Sequence, residues 1–169
     1  MFAQKLDRTL IQTLLIGARL SPRKRTNHCF HSPQDRLQRM INVALKGSYF
    51  APHRHQDPDK LEIFTILYGR VMVLAFNDDG TISDCQILCR DGGLENLETS
   101  LQVEIPAGTW HSLVILSDEA VLYEVIDGTF DAKTHKRFAP FAPSEMDPIS
   151  SQTYLEDLLE KAEFYLGKS

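Results

Sequence analysis

Apolar residues change their spacing along this chain, and the changes divide it into a helix, a long series of strands and a second helix. Leu6, Leu10, Ile11, Leu14, Leu15 and Ala18 recur at helical spacing, so an amphipathic helix is expected over residues 3–19, ended by Ser21-Pro22. From Phe50 to Ile126 short apolar runs alternate with turn residues. Strands are expected at about 47–53, 61–68, 70–76, 84–89, 101–105, 111–116 and 120–126. Asn77-Asp78-Asp79-Gly80 reads as a hairpin turn, because Asp-Gly readily supplies positive φ angles, and Gly69 separates two strands with almost no loop. Arg90-Asp91-Gly92-Gly93 and Ser117-Asp118-Glu119 are further turns. With no helix interrupting this region, the pattern points to an all-β sandwich or barrel and against a parallel sheet with crossovers.

Two other stretches complete the pattern. Between Asn27 and Leu45 the periods compete: Leu37, Met40, Ile41, Ala44 and Leu45 fit a helix, whereas Arg39, Ile41, Val43 and Leu45 alternate as a strand. After Asp127 a loop-rich stretch with Pro140, Pro143 and Pro148 is expected to wrap the outside of the barrel or cover an edge. A helix is expected from Thr153 to Leu166, with Leu155, Leu158, Leu159 and Ala162 on one stripe. Thr153 and Glu156 would form a capping box, and Gly167 would stop the helix.

Composition narrows the possibilities. At 169 residues, with 43% hydrophobic and 24% charged residues, the chain suits one globular domain, divided into the first helix (1–22), a β core (26–126) and a wrapping loop with the last helix (127–169). A formal charge of −5 and a pI near 5.6 argue against a dedicated nucleic-acid binder. The first residues lack a basic n-region and an unbroken apolar run, and no stretch is long enough to span a bilayer, so a cytoplasmic protein is expected. Cys29, Cys85 and Cys89 form no disulfide framework; Cys85 and Cys89 would stand ~13 Å apart on one strand face, and buried free thiols are expected.

The chemistry gathers in two places. His53 and His55 stand two apart, so an extended strand projects both imidazoles from one face, where they can chelate. Glu62 follows a turn-like QDPD segment, and a strand returning antiparallel would carry its carboxylate beside them. If that strand alternates, Glu62 shares a face with Phe64 and Ile66, where an uncompensated carboxylate is costly and a cation removes the cost. His111 comes directly after the turn in PAGTWH and supplies a fourth ligand, leaving Trp110 to point away and pack. Imidazoles plus one carboxylate suit a single divalent transition metal: Zn, Fe, Mn, Ni or Co.

Gly47-x5-His53-x-His55-x6-Glu62-x6-Gly69, followed by Pro106-x-Gly108-x2-His111, resembles the two-part signature of the cupin superfamily. It departs from the usual pattern in its longer gap before Glu62 and in Ile115 at a position often occupied by Asn. A narrower resemblance, carried by SPRKRTNHCFH, LQRMINVALKGSYFAPHRH, DKLEIFTILYGRVMVLAFNDDG, VEIPAGTWHSLV and RFAPFAP, is to the WbuC family of cupin-fold metalloproteins. The resemblance implies a jelly-roll barrel with the terminal helices outside it, a strand for the ambiguous 37–45 region, and Arg39 and Gln38 near the cavity.

Arg39 then stands out as a candidate for holding an anionic substrate, since a guanidinium can bond a carboxylate or phosphate twice. The alternative is an exterior salt bridge. His28 and His31 flank Cys29 as substrate-site candidates. Arg25 belongs to a basic cluster that either complements the first helix's negative end or turns inward to grip an anion. Lys60 and Glu124 complete the set; of Glu124 and its neighbour Tyr123 only one can face inward. Three functions follow: a metal-dependent enzyme acting on a small polar molecule, with a sugar derivative of surface-polysaccharide synthesis implied by the WbuC resemblance; a non-catalytic metal-containing binding or sensor module; and a metal-dependent dioxygenase. Exposed edge strands make a homodimer a further expectation.

Overall fold

The structure is a computed structural model that describes residues 4–90 and 98–166. Asp91, Gly92, Gly93 and Gly167, assigned above to a turn and a helix stop, lie outside the described residues. The chain begins with helix α1 (Arg8–Leu20) and continues through β1 (Arg25–Cys29), β2 (Leu37–Leu45), β3 (His53–Arg54), β4 (Glu62–Tyr68), β5 (Arg70–Phe76), β6 (Ile82–Cys89), β7 (Gln102–Ile105), β8 (Trp110–Ile115), β9 (Glu119–Asp127) and β10 (Arg137–Phe138) to helix α2 (Pro148–Leu166). Two five-stranded sheets result, ordered β1-β2-β9-β4-β7 and β10-β3-β8-β5-β6, and every ladder between named strands is antiparallel.

Strand alternation sorts the apolar residues into three layers. Between the sheets lie Phe64 and Ile66 of β4, Val71 and Val73 of β5, Leu113 and Ile115 of β8, and Ala120 and Leu122 of β9. The opposite face of β2 and β9 sends Ile41, Val43 and Val121 against Ala18 and the apolar stripe of α1. Met72, Leu74 and Val114 leave the second sheet outward to meet Leu155, Leu158 and Ala162 of α2. Both terminal helices therefore cover the outer faces of the sandwich. Gly69, at φ +80°, lets β4 turn into β5 at once; a side chain there would lie 2.2 Å from the Glu119 carbonyl, so only glycine fits.

Several boundaries differ from expectation for identifiable reasons. The 47–53 stretch forms only the short β3, because Pro52 has no N–H to donate and the nearby carbonyls find partners outside a ladder. Arg25 donates to the Tyr49 carbonyl, Ser112 to that of Phe50, and the Ala139 N–H to that of Pro52. Helix α1 starts at Arg8 because Asp7 accepts the Leu10 N–H at 2.9 Å. Helix α2 starts five residues early: Asp147 accepts from the Ser150 N–H at 3.1 Å and Pro148 fills the first turn, where a missing N–H costs nothing. Thr153 therefore lies inside the helix, bonded to the Ile149 carbonyl, and the capping box with Glu156 does not form. The three cysteines are free, but Cys29 is exposed rather than buried.

Candidate metal centre

His53, His55, Glu62 and His111 converge in the interior, with one donor atom from each lying within 4.8 Å of all the others, and each residue is at most 5% exposed. β3 and β8 bring two of them together by register, since His53 pairs directly with His111. His55 follows β3, and its carbonyl accepts the N–H of Gly108, whose φ of +78° shapes the turn leading to His111. Glu62 arrives differently from the expectation. β4 does not pair with β3; it belongs to the other sheet, between β7 and β9, and presents the carboxylate across the gap on the same inward face as Phe64 and Ile66.

Backbone carbonyls fix the three imidazoles. Nδ1 of His53 donates to Ala51 at 3.0 Å, that of His55 to His135 at 2.5 Å, and that of His111 to Thr109 at 2.8 Å. With the proton on Nδ1, each Nε2 carries a lone pair, the tautomer a metal ligand needs. All three Nε2 atoms are buried without a hydrogen-bond partner, and among the described residues the neighbouring Glu124 carboxyl is the one side chain other than the histidines in hydrogen-bond contact with the buried Glu62 carboxylate. Glu62 Oε2 stands 2.8 Å from His111 Nε2 and 3.2 Å from His55 Nε2, so a lone pair faces a lone pair unless something positive lies between. A single added proton could serve one such pair and would leave the others orphaned.

Burial would raise the Glu62 carboxyl, but His111 and His55 outweigh it and hold the group well below its ordinary range. Burial, followed by the Lys136 charge, holds His53 well below the ordinary histidine value, so the ring is neutral. The residues present fit a divalent cation: donors bonded at about 2.0–2.2 Å to one ion stand up to ~4.4 Å apart, so modest side-chain rotation closes the set.

A cavity of about 570 Å³ opens beside this cluster, with His53, His111 and Glu124 among its lining residues. Burial and the neighbouring Glu62 push the Glu124 carboxyl well above its ordinary value, and Asn42 donates a hydrogen bond to it. The inward face of β2 contributes Gln38, Met40 and Asn42.

Of the remaining candidates, Gln38 and Arg39 are neighbours with opposite fates. Gln38 is fully buried in the cavity wall, while Arg39 points to the other face, donating to the Phe30 carbonyl and lying 3.6 Å from Asp35. That is the exterior salt bridge. Arg25 lines the cavity, but its guanidinium is occupied by Glu145 at 2.6 Å and by the Tyr49 carbonyl. His31 lines it as well, with Nδ1 accepting the Arg39 N–H. His28 stacks edge-on against Phe30 outside the lining, and Lys60 is buried away from it, donating to the Thr129 carbonyl. Glu124, and not Tyr123, faces inward. Trp110 packs on the α2 side and donates to Asp78.

Residues that sequence reasoning passed over come from the loop after β9. His135, Lys136 and Phe138 line the cavity, and Arg137-Phe138 extends the second sheet by pairing with β3. The segment forms part of the site wall instead of merely wrapping the outside. The cue was the THKRF run, a histidine and two cations in an otherwise loop-like stretch.

Residues 6–88 match a family described as a domain of unknown function, DUF6016. Among curated proteins, none matches this chain in sequence. Solved structures similar to it include protein SO0799 from Shewanella oneidensis, with a TM-score of 0.54 and 10% identity over 80% of this chain and 79% of that one. Two others are TT1209 from Thermus thermophilus (TM-score 0.51, 18% identity, 74% and 98% of the two chains) and the DMSP lyase DddQ from Ruegeria pomeroyi (0.52, 17%, 71% and 54%). The fold is a cupin jelly roll. At these identities the likeness concerns the fold alone, and the chemistry of this chain rests on its own side chains. No helix among the described residues is long and apolar enough to cross a membrane.

Proposed function

We propose that this cupin is a metal-dependent enzyme acting on a small polar molecule, with His53, His55, Glu62 and His111 as ligands of one divalent transition metal. The observation that carries the reading is the set of three buried, partnerless imidazole nitrogens turned toward the buried Glu62 carboxylate, with each ring's outer nitrogen already committed to a backbone carbonyl. Such a metal would supply Lewis acidity toward a substrate oxygen or toward water. The protein supplies the rest. The carbonyls of Ala51, Thr109 and His135 hold the rings in the ligating tautomer, the facing sheets keep bulk water from the donor set, and the adjoining cavity gives a substrate room beside it. That cavity favours turnover over a closed structural metal. The WbuC resemblance supports a sugar derivative of surface-polysaccharide synthesis as the substrate.

The test is elemental analysis of protein purified without added metal or a chelating tag, then reconstituted separately with Zn, Fe, Mn, Ni and Co. Stoichiometric retention is expected in the parent chain, with loss in each of His53→Ala, His55→Ala, Glu62→Ala and His111→Ala. A parent chain that retains none of the five ions overturns the reading. Retention in Glu62→Ala alone would leave a three-histidine centre.

A further inference from the structure

The protein is acidic overall, at −5, yet the cavity wall is not. Three cations, Arg23, Arg25 and Lys136, line it against two carboxylates, Glu124 and Glu145. Arg23 and Arg25 both bond Glu145, at 2.7 and 2.6 Å, and Arg25 also donates to Ser48 and the Tyr49 carbonyl, so both charges are paired and the Arg25 fork is taken. Lys136 has no ion-pair partner among the described residues, and its charge is felt at His53, His135 and Glu124. Its backbone is held on both sides: the His135 carbonyl accepts from His55, and Arg137 pairs with Arg54 of β3. Its ammonium group is therefore an unspent charge near the metal-ligand set, carried on an anchored backbone.

A second observation is independent of charge. Gln38 is 0% exposed, and its Nε2 donates to the Gly128 carbonyl at 3.0 Å, which fixes the amide's orientation. The remaining atom, Oε1, is buried with no partner, on a residue of the cavity lining. An amide oxygen can only accept, so its partner must bring an O–H or N–H. Much of the remaining wall is apolar, including Phe50, Phe64, Leu113 and Phe138, and suits a carbon skeleton.

We propose that the cavity binds a small hydroxylated carboxylate, its carboxylate on Lys136 and one hydroxyl donating to Gln38 Oε1. This names the substrate class of the site proposed above and rests on that reading only for the ligand's approach to the metal. A neutral sugar answers Gln38 but not Lys136; a simple alkyl carboxylate does the reverse. A carboxylate matches the one cation of the wall that no carboxylate already pairs, whereas a phosphate group calls for an arginine fork, and both arginines are already paired with Glu145.

The experiment is calorimetric titration of the full chain, both zinc-loaded and metal-free, with D-glucuronate, D-glucose, propionate and D-glucose 6-phosphate. D-glucuronate is expected to bind at least about tenfold more tightly than the other three, the size of effect that one charged hydrogen bond supplies. Lys136→Met should erase its advantage over D-glucose with zinc content unchanged, and Lys136→Arg should restore it. Gln38→Met should erase its advantage over propionate, with the thermal midpoint showing that the variant is folded. D-glucuronate binding no better than D-glucose, a preference that survives Lys136→Met, or tighter binding of D-glucose 6-phosphate would each overturn the proposal. A Lys136-dependent preference in a protein that takes up no metal upholds the subsite and removes the metal centre; zinc uptake without any preference does the opposite.

Discussion

The two ends of the space between the sheets are built from the same strands with opposite chemistry. On β4 the inward positions run Glu62, Phe64, Ile66; on β8 they run His111, Leu113, Ile115; on β9, traversed the other way, Glu124 gives way to Leu122 and Ala120. One end is a sealed apolar core, and the other is a cavity where the ligand set and charged groups interrupt an apolar wall. Alternation decides only whether a side chain faces in. Position along the strand decides whether facing in means packing or chemistry, and the changeover occupies a single inward step.

That contrast can be broken most forcefully at the apolar end. Leu122→Ala, at a fully buried position, should cost about 2–5 kcal/mol in denaturant unfolding, because the tightly packed strands around it cannot collapse into the void. Metal retained per folded molecule should be unchanged. A smaller effect is expected from the polar end. Chelating the metal from the loaded protein should lower stability by roughly 2.7 kcal/mol where free metal had been a hundredfold above its dissociation constant. His111→Ala should show no such difference between loaded and chelated samples in a thermal melt.

The smallest effect lies at the cavity rim. Burial raises the Glu145 carboxyl, but Arg25, the Ala51 N–H and Arg23 outweigh it and hold the group below its ordinary 4.5. Below that value the unfolded chain takes up a proton that the folded chain does not. The contribution of Glu145 is thus present at neutral pH and lost as pH falls through 4.5 and on to the folded value. Glu145→Gln should flatten the parent's stability slope in acid unfolding titrations, and an unchanged slope would show that the bond to Arg25 contributes nothing.

Much of this could be read in the chain before its shape was known. A two-residue spacing placed His53 and His55 on one side of an extended segment, and the cost of burying Glu62 among Phe64 and Ile66 already called for a cation. What could not be read was which sheet each strand joins. Glu62 crosses from the facing sheet because β4 pairs with β7 and β9, a choice set by contacts distant in sequence. For the same reason the sequence favoured Arg39 while it is Gln38 that lines the cavity, since a shift of one residue in register exchanges their faces. The loop holding Lys136 escaped because a two-residue strand such as β10 has too few positions to show a period. The start of α2 was legible in Asp147-Pro148, a cap followed by a helix-compatible proline, had its first turn been weighed above its apolar stripe.

The carboxylate rides on one layer and the imidazoles on the other. An ion that satisfies both would act as a rivet through the mouth of the sandwich, joining the layers where the apolar core gives way to the cavity. Emptying and refilling it would therefore change how firmly the two layers grip each other at the rim, while the sealed end stays shut.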